Sequence, residues 1–163
     1  KDIPVSEYID KFKKKPVLVL GDYETGLERL ESICRVLGEL GYEPIMVRDI
    51  PDHPSQDIRQ KVVAIGAISR FVVVDDSSNS GHLLEVELCD QNKWVTILLR
   101  AAGHGGSWMT AGLSYQSNVI LEQPYDPSSL EEAIPRISEW AEKKLEELKV
   151  KYDSTYPWRM KGS

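Results

Sequence analysis

The chain has 163 residues, a length that suggests one domain able to bury its own core without disulfide or metal staples. Its 20 Lys and Arg stand against 26 Asp and Glu, and the net charge of −6 excludes the clustered cations of a nucleic-acid-coating or polybasic membrane-docking surface. A hydrophobic content of 41% with 28% charged residues excludes disorder, and no apolar run approaches the roughly 20 residues that a membrane span needs.

The chain opens on Lys1 rather than Met, so we expect it to be part of a longer protein, and Lys1-Asp2-Ile3-Pro4 lacks a leader pattern. Val5, Tyr8, Ile9 and Phe12 give residues 1–15 the pattern of a short docking segment. Val17-Leu18-Val19-Leu20 is an unbroken apolar run closed by Gly21, the mark of a fully buried strand. Leu27, Leu30, Ile33, Cys34, Leu37 and Leu40 then repeat at three and four, and Gly41 closes that helix. Pro44 to Val47 is a second strand. Ser55 is placed to cap a second helix with Ile58, Val62, Ile65 and Ile68 facing inward. Phe71 to Val74 is the third strand, and Gly81 to Gln91 is a third helix carrying Leu83, Leu84 and Leu88.

Val95 to Leu99 is a fourth strand. The glycine-rich stretch Gly103 to Gly112 reads as a rim loop, and Val119 to Leu121 as a short fifth strand. Asp126-Pro127-Ser128-Ser129 opens a last helix, with Ser128 and Glu131 spaced as a capping box and Pro135 placed to kink it. That helix is expected over the domain's end near residue 150, with 151–163 as a tail. Five buried strands alternating with helices predict a flavodoxin-like, doubly wound five-stranded parallel sheet of order 2-1-3-4-5, with helices on both faces.

This fold locates a site before any motif does. Ligands bind beyond the strand C-termini where strand order reverses, between strands 1 and 3. The loop after strand 1 is Gly21-Asp22-Tyr23-Glu24-Thr25-Gly26, and the loop after strand 3 runs from Asp75 and Asp76 to Ser80 and Gly81, with His82 opening the helix. Gly21, Asp22, Tyr23, Asp75, Ser80, Gly81 and His82 are therefore the expected substrate-binding residues. Backbone N–H groups of the first loop suit phosphates, and Tyr23 suits stacking on a base, or is a plain loop aromatic.

Glu85 lies near the start of the third helix and leans toward the loop. With Asp75 and Asp76 it would crowd carboxylates around one crevice, an arrangement used in glycosidic-bond chemistry. Glu87 competes with it, about 200° round the helix, and the Leu84 and Leu88 stripe leaves the choice open. The two cysteines, Cys34 and Cys89, read as buried free thiols, and with three histidines they show no metal-ligand spacing.

The runs Pro54-Ser55-Gln56-Asp57-Ile58, Ala67-Ile68-Ser69-Arg70-Phe71-Val72-Val73-Val74 and Ser80-Gly81-His82-Leu83-Leu84-Glu85 resemble the core of a Toll/interleukin-1 receptor (TIR) domain, over roughly residues 16 to 148. Ser80-Gly81-x-x-x-Glu85-Val86 is also similar to the Asp-Ser-Gly-x-x-x-Glu element of nucleoside 2-deoxyribosyltransferases, with Asn79 in place of the aspartate and Gly81 where TIR domains carry an aromatic. The resemblance implies that Glu85 is the catalytic carboxylate of an NAD glycohydrolase releasing nicotinamide and ADP-ribose or a cyclic form. NAD is then substrate rather than cofactor. It also implies a cytoplasmic signalling or defence protein that self-assembles through the loop after strand 2, here Arg48, Asp49, Asp52, Pro54 and Ser55. A non-catalytic TIR-type interaction module and a nucleoside or nucleotide hydrolase or transferase are the alternatives.

Overall fold

A computed structural model describes residues 15–77, 83–101 and 117–158, with Leu83 and Leu84 described by backbone alone. In chain order the elements are β1 (Lys15–Leu20), α1 (Leu27–Glu39), β2 (Tyr42–Met46), α2 (Ile58–Ile68), β3 (Phe71–Asp75), α3 (Leu83–Gln91), β4 (Thr96–Ala101), β5 (Ile120–Tyr125) and α4 (Leu130–Thr155). Short 3-10 turns follow β2 at Val47–Asp49 and precede α4 at Pro127–Ser129. The five strands form one sheet in the order β2-β1-β3-β4-β5, and every pairing is parallel. This is the expected flavodoxin-like fold.

Alternation along the strands sorts side chains into two layers. Val17, Val19, Phe71, Val73, Ile97 and Leu99 face α1 and α4 on one side. Leu18, Leu20, Val72, Val74 and Leu98 face α2 and α3 on the other. Because both faces are covered, β1, β3 and β4 are buried almost throughout, which is why they read as unbroken apolar runs.

The helices depart from expectation in three places. The buried face of α2 is Lys61, Val62, Ile65 and Gly66, whereas Ile58 and Ile68 are each 66% exposed. The Lys61 stem packs as an apolar group, with its amine reaching Asp52 at 2.8 Å. Gly66 receives the Trp94 ring, and a Cβ there would lie 2.3 Å from it. The cap of α2 is Asp57 rather than Ser55, in a capping box with Gln60. Asp126, not Ser128, accepts the capping hydrogen bond ahead of α4, and Glu131 instead pairs with Arg35 at 2.8 Å. Pro135 sits inside an unbroken α4 that runs to Thr155. Beyond it Trp158 is exposed and stacks edge-on against Tyr156. The expected docking segment lies outside the described residues apart from Lys15, which begins β1, and the Gly103–Gly112 rim loop lies wholly outside them.

Candidate functional site

The carboxyl edge of the sheet collects the loops after β1, β2 and β3 and the first turns of α2 and α3. In the loop after β1, Asp22 occupies the place expected for a phosphate. Its Oδ1 accepts from the backbone N–H groups of Glu24 at 2.9 Å and Thr25 at 3.2 Å, its Oδ2 accepts from Thr25 Oγ1, and its carbonyl accepts from Gly26 N–H. These donors already serve a resident anion, so the loop is closed on itself. Gly21 and Gly26 lie against Asp75: a Cβ on Gly21 would be 2.8 Å from Leu30 and 3.3 Å from Asp75.

Tyr23 is half-buried and spans both core layers. Its hydroxyl donates to the Val19 carbonyl at 2.9 Å and accepts from Val47 N–H at 3.2 Å. It thereby ties the end of β1 to the start of the loop after β2. Burial pushes its phenol up to about 12, and the negative charge of Glu85 contributes, which puts the two side chains within electrostatic reach.

The three carboxylates expected in one crevice part company. Asp75 is buried, accepting from Arg29 Nε at 3.0 Å and from Ser77 Oγ at 2.5 Å. Ser77 Oγ in turn accepts from Ala101 N–H at 2.8 Å. Asp76 is fully buried and meets Arg100 at 3.1 Å, and the same guanidinium grips Glu122 of β5. Each aspartate thus has its own arginine, one from α1 and one from β4. Periodicity carries no sign of Arg29 as a partner, whereas Arg100 is marked as a cation directly after the apolar run Val95–Leu99.

Glu85 stands elsewhere. It lines a cavity of about 160 Å³ between α2 and α3, with Ile58, Arg59, Val62 and Leu88 as the other walls. Glu87 is not among them. Val86 and Cys89 point the opposite way, into the core, and burial pushes the Cys89 thiol up to about 12. The cavity is mostly apolar, with one carboxylate and one guanidinium among its described walls. Arg59 carries no sequence signal, and Ile58, expected to face the core, lines this cavity instead.

The loop after β2 leads from Tyr23 to this cavity. Arg48 contacts Glu31 at 3.7 Å and Asp49 at 3.3 Å, Ser55 Oγ meets His53 Nδ1 at 2.6 Å, and residues 51–60 are all exposed, Pro54 included. The Asp52 carboxyl is held below its ordinary range by its hydrogen bond from Lys61. Ser80, Gly81 and His82 lie outside the described residues, so the Ser-Gly part of the deoxyribosyltransferase-like element does too. Among the described residues no group of three His, Cys, Asp or Glu side chains is placed to hold a metal, and no helix is long and apolar enough to cross a membrane.

No family pattern and no curated protein matches the chain. Among solved structures it is similar to the CMP N-glycosidase BcmB of Clostridium botulinum, at 17% identity over 77% of this chain and 99% of that one, with a TM-score of 0.58. The TIR domains of the activated Roq1 resistosome, which directly recognises the pathogen effector XopQ, superpose at 16% identity over 81% and 82% of the chains, with a TM-score of 0.43, too loose to add to the argument. The first likeness establishes a shared fold: this is an α/β domain of the flavodoxin-like class that also serves a nucleotide N-glycosidase.

Proposed function

We propose that the chain is a nucleotide N-glycosidase, with Glu85 as its reacting carboxylate and NAD as its substrate. The observation that carries this reading is the position of Glu85 on the wall of an apolar cavity at the carboxyl edge of a parallel sheet. The C1′–N bond breaks with its electron pair going to nitrogen, and nicotinamide leaves as a neutral base. The ribosyl carbon becomes oxocarbenium-like, Glu85 stabilises or captures it, and water delivers the final hydroxyl with release of one proton. The buried apolar Val62 and Leu88 beside it strengthen the pull of the carboxylate on that cation.

Support for a pyridinium leaving group comes from the wall composition. Glu85 is the only acidic side chain among the described lining residues. A leaving pyrimidine, as in the CMP of the similar glycosidase, needs a proton from a second group; nicotinamide needs none. The test is free nicotinamide released from NAD, followed by chromatography at high protein concentration. Release is expected, and Glu85→Gln abolishes it while leaving the thermal melt nearly unchanged. No release from the wild type, or release that survives Glu85→Gln, overturns the reading. If Glu87→Gln abolishes it instead, Glu87 and not Glu85 is the reacting carboxylate, and the reading of this cavity fails.

The exposure of residues 51–60 favours a second proposal, that copies associate through Arg48 to Ser55. Concentration-dependent association that survives Glu85→Gln and fails on changes in this loop supports it; a monomer at all concentrations removes it.

A further inference from the structure

Arg29, Arg35, Arg48, Arg70 and Arg100 each meet a carboxylate. Arg59 meets none among the described residues. Arg136 shares that lack, but it lies on α4 and is not part of the cavity wall. Arg59 is also badly placed for its own helix. It is the second residue of α2, where the macrodipole disfavours a cation. The neighbouring Asp57 carboxylate accepts from Gln60 N–H at 2.8 Å and makes no ion pair with it. Neither helix stability nor an ion pair therefore accounts for this guanidinium. What it does have is a place on the wall of the same cavity as Glu85, without pairing to Glu85.

We infer that Arg59 is the specificity-determining residue of this cavity: it reads a phosphate on the substrate, so that the protein acts on nucleotides and discriminates against the corresponding nucleosides. The inference rests on the N-glycosidase reading and sharpens its substrate class. A guanidinium binds phosphate through two parallel N–H···O bonds and stays charged at any working pH. Glu85 works at the anomeric carbon, and the phosphate of a nucleotide sits at the other end of the same ribose. A guanidinium and a carboxylate on the wall of one cavity, with the apolar Val62 and Leu88 also lining it, offer one group for each end of such a ligand. The contact is present in ground and transition states alike, so it acts on KM rather than kcat.

The experiment compares NAD with nicotinamide riboside, which has the same scissile bond and no phosphate. In the wild type, NAD is expected to have the lower KM. Arg59→Gln is expected to raise KM for NAD by about 10- to 100-fold, with kcat nearly unchanged and KM for nicotinamide riboside unmoved. Arg59→Lys recovers part of the loss, since it restores charge without the fork. An unchanged KM for NAD, or an equal rise for both substrates, overturns the inference. If the wild type turns over neither compound, the glycosidase reading fails, and Arg59 is then judged by calorimetric binding of AMP. Binding that weakens in Arg59→Gln sustains phosphate recognition; equal binding, or none to the wild type, removes it.

Discussion

The carboxyl edge of the sheet holds acidic residues in two settings. At the β3–β4–β5 side, Asp75 and Asp76 are buried, and each is matched to an arginine that fixes a loop or a strand. At the α2–α3 side, Glu85 lines a cavity, and the arginine sharing that cavity has no carboxylate of its own among the described residues. In the first setting charges are consumed by the fold. In the second a carboxylate and a guanidinium line a space large enough for part of a ligand. The lesson is that a run of acids after a strand says little about chemistry until the cations opposite are counted.

The largest effect should come from breaking the first setting. Arg100→Met leaves Asp76 buried beside Glu122 without its cation, and a loss of about 3–5 kcal/mol is expected in urea unfolding. A loss below about 1 kcal/mol would erase the distinction between structural and functional acids.

Tyr23 joins the two settings through Val19 and Val47. Tyr23→Phe removes both hydrogen bonds and should cost about 1–2 kcal/mol. It also changes the alkaline limb. The phenol is raised from 10.0 to about 12 in the folded state, so between these values the native protein keeps a proton that the unfolded chain has lost. Stability therefore falls as pH rises through that window, and the fall should be shallower in Tyr23→Phe. Identical slopes in the two proteins would contradict the burial of this hydroxyl.

The smallest effect concerns the opposite end of the sheet. Glu142 is held below its ordinary value chiefly by Arg70, with the Tyr42 hydroxyl adding to it. Its contribution is present above about pH 4.5 and is lost as pH falls through the lowered value. Arg70→Met should flatten that acid limb by less than about 1 kcal/mol, because the pair is partly exposed, and leave nicotinamide release unchanged.

Much of this architecture was legible in the sequence. The apolar runs at Val17, Phe71 and Val95 announce strands buried on both faces, and their alternation with helical spacing fixes the parallel sheet. β5 extends past its apolar run because an edge strand tolerates Glu122, Gln123 and Pro124, which no buried strand would carry. The α2 face departs from its apolar spacing because a lysine stem and a glycine can both be core when a partner fills or uses them, as Asp52 and Trp94 do. The pairing of Asp75 with Arg29, 46 residues away, has no local signal at all. Periodicity could not choose between Glu85 and Glu87; the packing of Val86 and Cys89 into the core does, by turning Glu85 toward α2.

The most direct test of the two settings is a crystal structure of Glu85→Gln with NAD bound. The account predicts the nicotinamide ribose in the cavity between α2 and α3, its anomeric carbon within about 3.5 Å of the substituted side chain. NAD seated instead against Asp76 and Arg100, or a cavity left empty at saturating NAD, would contradict it.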